Sequence, residues 1–156
     1  MSIEVQSVTK SYETQLALNE ISFSASKGEI IGFLGPNGAG KSTMMKILTG
    51  FILPTKGTVF VSGINVLKNP IEAKAHIGYL PEQNPLYEDM YVKEYLQFQA
   101  SIFKVPKEAI ETVVNTVGLK PEVHKKIGQL SKGYQQRVGI AAAIIHNPDV
   151  LVLDEP

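Results

Sequence analysis

The sequence has 156 residues, 44% of them hydrophobic and 19% charged, with a formal net charge of zero. That is enough chain for one domain with a buried core, and the neutral balance argues against a general electrostatic binder of nucleic acid or membrane. With no cysteine, disulfides and thiolate metal sites are excluded.

The start, MSIEVQSVTK, has no charged segment followed by an apolar stretch, so no signal peptide is visible. The longest apolar stretches, such as VGIAAAII, run to about eight residues, well short of a membrane span. The expectation is a cytoplasmic chain whose membrane role, if it has one, requires a partner.

The first third reads as strands. Ile3, Val5 and Ser7 share one side of SIEVQSV, and Ile21, Phe23 and Ala25 share one face of ISFSAS. Lys27-Gly28 predicts a turn. EIIGFLG (29–35) is apolar throughout, the pattern of a strand covered on both faces. STMMKILTG then reads as a helix and GTVFVSG as a short strand ending in a turn. Asn69-Pro70 is a helix-start signal, and HIGYLPE reads as another buried strand.

The middle follows helical spacing. Val92, Tyr95, Leu96, Gln99, Ile102 and Phe103 mark one helix. Ala109, Ile110, Val113, Val114 and Val117 mark a second, with Gly118 as its stop. Residues from about 87 to 130 therefore form a helical block inserted in an α/β chain. Ser131 predicts the N-cap of a third helix running to about His146, Asn147-Pro148 ends it, and DVLVLDEP gives a last strand.

Two stretches carry chemistry. GPNGAGKST fits G-x-x-x-x-G-K-[ST] through Gly35, Gly40, Lys41 and Ser42, with Pro36, Asn37, Gly38 and Ala39 between and Thr43 after. Glycines let successive N–H groups turn inward onto phosphate oxygens. The helix behind them offers its N-terminal donors and dipole to the same anion. Lys41 supplies a mobile charge for the outer phosphates, and the Ser42 hydroxyl suits Mg²⁺. The motif points to a nucleotide but does not separate kinase, GTPase, helicase and transporter. In DVLVLDEP, Asp154 is a candidate Mg²⁺ ligand and Glu155 a candidate polariser of attacking water. The alternative is an ordinary strand end and turn, which Asp and Pro both favour.

Between these stretches lies QLSKGYQQRVGIAAAIIHNPDVLVLDEP. Together with the phosphate loop it resembles the ATP-binding cassette (ABC) ATPases, whose signature reads Leu-Ser-Gly-Gly-Gln followed by a Gln-Arg pair. Here it stands as Leu130, Ser131, Lys132, Gly133 and Tyr134, then Gln135, Gln136 and Arg137. Lys132 and Tyr134 depart from the pattern, while Ser131 and Gly133 keep it. The resemblance implies an α/β P-loop NTPase fold: a mostly parallel core sheet, an N-terminal antiparallel β subdomain and an inserted α-helical subdomain. Residues 1–156 would form a single partial domain, C-terminally truncated, because the family's crossover helix and switch histidine would follow. The expectation for these 156 residues alone is negligible ATP turnover.

The same resemblance implies Mg-ATP as ligand and a homodimer or heterodimer of nucleotide-binding domains that sandwiches two ATP molecules. It also implies a separate transmembrane permease subunit, with no nucleic-acid partner. Ser131 would face the ATP held by the second subunit, although a helix-start serine also serves as a plain cap. Lys132 and Tyr134 either add charge and contact at that interface or stand as exposed helix-start residues. Tyr12 takes the place of the family's adenine-stacking aromatic; its alternative is a surface residue at a strand end. Register puts Glu82 where the family has a γ-phosphate- and Mg²⁺-sensing glutamine, with Gln83 as the other candidate. Pro85 to Met90 would face the permease. His76, His124 and His146 are scattered and read as structural or solvent-facing. Within the family, LSKGYQQRVGIA and IGYLPEQNPLYEDMYVKEYL are similar to ATPase subunits of the ABC-2 export type, above all the gliding-motility-associated subunit. A soluble cassette protein acting on ribosomes or DNA, and an ATP-binding fragment without turnover, are the alternatives.

Overall fold

A computed structural model describes residues 1–155; Pro156, which follows the carboxylate pair, lies outside them. The chain divides into two compact units, residues 1–77 and the part beginning at Gly78.

In the first unit, β1 (Ile3–Tyr12) and β2 (Gln15–Ala25) form an antiparallel pair. β3 (Lys56–Val61) adds antiparallel to the other edge of β1, and β4 (Ile64–Asn65) pairs with β3, giving the order β2-β1-β3-β4. The β3–β4 turn is Ser62-Gly63, both with positive φ, as a two-residue hairpin turn requires. The simple alternation expected for β1 fails at Ser7. That residue has a φ of 45°, the ladder shifts register between Val5 and Val8, and the Ser7 N–H donates to Ser22 Oγ at 2.8 Å. The bulge turns Ser7 outward and puts Val8 into the core beside Val5.

Helix α1 (Lys41–Leu48) buries Met44, Ile47 and Leu48, the i, i+3, i+4 face of an amphipathic helix. Helix α2 (Pro70–Ala75) starts at the expected Asn69-Pro70 signal, with proline in its first turn. The expected strand at 29–35 does not form. These residues pair with no strand among the described residues; Ile30 and Leu34 are 97% exposed, and only Phe33 finds an aromatic neighbour, edge-on to Phe23 at 5.3 Å. An apolar run records a capacity for burial, but a strand also needs a neighbour for its N–H and C=O groups.

Strand β5 (Ile77–Leu80), which starts at the last residue of the first unit and runs into the second, pairs with β6 (Val150–Leu153) in a two-stranded sheet. The Asp154 N–H donates to the Leu80 carbonyl at 2.9 Å, so the C-terminal ends of both strands meet, as in a parallel pair. Helices α3 (Val92–Ile102), α4 (Glu108–Thr116) and α5 (Lys132–Ile144) share one core built on Leu96, Val113, Leu119, Ile127 and Val138. Ile102 does not join it, being 55% exposed, and Ala100 is buried instead. On the helical wheel Ile102 lies roughly a quarter turn from the stripe through Val92, Leu96 and Phe103. Gly118, at a φ of 69°, ends α4, and Asn147, at 51°, follows α5.

Candidate functional site

Gly40 caps α1 in the left-handed region, at φ 88° and ψ 5°. A Cβ there would lie 2.5 Å from the Ala17 carbonyl oxygen and 2.8 Å from Leu18 Cδ2. Glycine is thus required twice, by dihedral and by space. Gly38, at a φ of 84°, makes a second left-handed step in the same loop. Lys41 folds back over the loop, its Nζ donating to the carbonyls of Gly35 at 2.7 Å and Pro36 at 3.0 Å. The Ala39 N–H closes onto the Pro36 carbonyl at 3.2 Å. Residues 35–39 are exposed, and Lys41, Ser42 and Thr43 head a helix whose first N–H groups have no intrahelical acceptor. An exposed, left-handed, lysine-closed loop at a helix start is built for an anion. Gly40→Ala is therefore expected to cost about 1–3 kcal/mol of stability and to weaken nucleotide binding as the loop shifts. Denaturant midpoints and calorimetric ATP titration measure the two effects.

Tyr12 ends β1 beside a left-handed Glu13; the residue is 45% exposed, and Lys10 Nζ lies 4.9 Å from its ring centroid. The lysine is held there by a hydrogen bond to the Leu53 carbonyl at 2.9 Å.

The second unit holds the remaining candidates. Asp154 is 3% exposed and continues the buried face of Val150 and Val152. Leu151 is 43% exposed, so β6 is covered on one side more than the other. Glu155 is exposed and lies at a φ of 51°, in the left-handed region like Glu13 and Asn147 elsewhere in the chain. Tyr79 on β5 has its phenol pushed above the ordinary 10.0, first by burial and then by the negative charge of Asp154. Its hydroxyl stays protonated and makes no hydrogen bond among the described residues, a donor in the field of the Asp154 carboxylate. Glu82 and Gln83 are both exposed just beyond β5.

In the signature stretch, Leu130 anchors in the helical core. Ser131 caps α5, its Oγ accepting from the Tyr134 N–H at 3.4 Å. Lys132 and Gly133 are exposed, with open space around Gly133. Tyr134 packs against the core instead of standing free, and the Arg137 guanidinium lies 5.2 Å from its ring centroid. Arg137 also reaches the last carbonyls of the α4 region, Val117 at 3.4 Å and Gly118 at 3.5 Å. Gln135 Nε2 donates to the Ile127 carbonyl at 3.1 Å. His146 stacks on Phe103 with centroids 3.8 Å apart. Tyr87 meets Tyr95 and Phe98 edge-on, giving the 85–90 stretch an aromatic surface.

Sequence reasoning passed over Asn84, whose side chain bonds α5, and Gly139, the position on α5 that admits it. The available signal was a glycine in the middle of a helix, which usually has a packing reason.

Ser42 in the first unit, and Asp154 and Glu82 in the second, each carry oxygen donors, the kind that suits Mg²⁺. No group of three or more His, Cys, Asp or Glu side chains gathers among the described residues. Mg²⁺ habitually takes one or two carboxylates plus phosphate oxygens, so oxygen donors of this kind suit an ion that arrives with a nucleotide.

Fold and site together define a P-loop ATP-binding cassette. A family model described as "ABC transporter" matches residues 18–156, and the chain belongs to that family. It is 39% identical over 99% of its length to the bacitracin transport ATP-binding protein BcrA of Bacillus licheniformis. It is 34% identical, again over 99% of its length, to the probable multidrug ABC transporter ATP-binding protein YbhF of Escherichia coli. It covers 51% of the former and 27% of the latter, so the chain spans about half or less of the relatives it matches. Among solved structures it superposes on cbiO1 of Clostridium perfringens, part of the transporter complex cbiONQ, with a TM-score of 0.87 and 27% identity. That match covers 99% of this chain and 65% of cbiO1.

Proposed function

We propose that the chain is the ATP-binding part of a subunit that powers a membrane exporter through Mg-ATP-driven dimerisation and ATP hydrolysis. The observation that carries this reading is the pair of anion-suited helix starts on one chain, Gly40–Lys41 at α1 and Ser131 at α5. A phosphate loop alone serves many nucleotide enzymes. A second such start, in the signature stretch, serves an ATP held by another subunit.

In this reading Tyr12 stacks on adenine, and residues 35–43 wrap the phosphates. Ser42, Asp154 and Glu82 supply oxygens to Mg²⁺, which neutralises phosphate charge when bound. Glu82 is favoured over Gln83 by register, fixed by Pro81 and the Leu86-Tyr87 spacing. Glu155 takes a proton from the attacking water. Leu130 to Gln135 close over the partner subunit's nucleotide, with Lys132 adding positive charge there. The aromatic surface around Tyr87 receives a permease subunit, which holds the protein at the inner face of the plasma membrane.

Export as the direction rests on the motif resemblance; the relatives' names speak of bacitracin transport and of a probable multidrug transporter. The ABC-2 export type and the kinship with gliding-motility subunits rest on the motif resemblance of 77–96 and 130–141. Full-length protein should hydrolyse ATP only with Mg²⁺ and should sediment as a dimer when ATP is held unhydrolysed. Turnover that persists in excess chelator, or a monomer at saturating ATP, would refute the proposal.

A further inference from the structure

Asn84 lies in the loop that carries Glu82 and Gln83, and its Nδ2 donates to the Gln135 carbonyl at 2.9 Å in a part-buried bond. Gln135 sits in the first turn of α5, its own N–H bonded to the Ser131 carbonyl at 2.9 Å and its side chain to Ile127. One turn further along the same face comes Gly139. A Cβ there would collide with the Asn84 amide and lie 2.6 Å from Leu80 Cδ1. Glycine weakens a helix interior, so its presence at 139 has a use: it is the seat that admits Asn84. Asn84 is thus held by a hydrogen bond to a carbonyl with a lone pair to spare and by a shape that only glycine leaves open.

We propose that Asn84 is a positioning residue that bolts the loop bearing Glu82 onto the helix capped by Ser131. The two nucleotide-facing ends of the second unit then move as one body. The loop and helix are already joined through residues 85–130, but that path runs through the whole helical block. The Asn84–Gln135 bond joins them directly, within one turn of Ser131. The inference rests on the reading of Glu82 and Ser131 as nucleotide-facing groups.

The test uses full-length protein. Asn84→Asp keeps the shape but sets an oxygen against the Gln135 carbonyl. Its ATP affinity and KM should stay within about twofold while kcat falls at least about fivefold. Amide exchange in 131–135 should quicken. Gly139→Ala should give the same pattern by pushing Asn84 off the helix. Asn84→Ala combined with Gly139→Ala should be no worse than Asn84→Ala alone, because the clashing amide has gone and the Leu80 methyl can shift into the space it leaves. Should Asn84→Asp melt below the assay temperature, Asn84→Ser makes the same comparison. Unchanged kcat in Asn84→Asp overturns the inference while leaving the nucleotide reading intact. So does a parallel loss of affinity and turnover, which would make Asn84 a prop for the fold, and so do strictly additive losses in the double variant. A wild-type protein that binds no ATP overturns the underlying reading, and the inference with it.

Discussion

Replacing Glu155 with glutamine in the full-length protein should lower ATP turnover by about 100-fold or more, the scale of a lost general base. The change is isosteric, so the left-handed backbone at a φ of 51° and the neighbouring buried Asp154 are left as they are. What disappears is the basic oxygen. Nucleotide binding should survive, because the phosphate-binding residues are untouched. A protein that binds but cannot hydrolyse should accumulate as an ATP-bound dimer, visible by sedimentation with ATP and absent with ADP. Glu155→Gly separates chemistry from backbone: it relieves the positive φ yet should be just as inactive. Wild-type turnover in Glu155→Gln would remove the general-base assignment outright, and recovery in Glu155→Gly alone would point to backbone strain.

The helices were the most legible part of the chain because their signals are local. Ile110, Val113 and Val114 fall at helical spacing, and all three are buried in α4. Ser131 was readable as a cap from its place before a periodic run, and its hydroxyl accepts an N–H three residues on. The phosphate loop was equally local, since left-handed turns at Gly38 and Gly40 are written in the glycines themselves. Features set by a neighbour were not legible. The bulge at Ser7 depends on the Ser22 hydroxyl of the adjacent strand, fifteen residues away. The apolar run at 29–35 promised a strand but could not name a pairing partner, and Ile30 and Leu34 stand exposed. The Asn84–Gln135 bond joins residues 51 positions apart, so only the odd glycine at 139 hinted that something approached.

Lys41→Ala should weaken ATP binding by about 10- to 100-fold, the worth of a charge-assisted hydrogen bond to phosphate. In the structure the ammonium rests on the Gly35 and Pro36 carbonyls, both on an exposed stretch. Water can take over those two acceptors when the lysine is removed, so melting temperature should change little. That contrast makes affinity, not stability, the informative readout. Lys41→Arg should restore binding only in part, since a bulky planar guanidinium does not replace a compact ammonium point charge within the tight loop. The loss should also depend on the ligand. On the proposed reading Lys41 serves the outer phosphates, which ATP and ADP carry and AMP lacks, so AMP should bind wild type and Lys41→Ala almost equally. Rising salt should narrow the gap for ATP, because part of the interaction is a screened charge contact. Calorimetric titration of all three nucleotides provides the measurement. Equal ATP affinity in wild type and Lys41→Ala would mean that residues 35–43 do not hold the phosphates, and an equal loss for AMP would trace the defect to the shape of the loop.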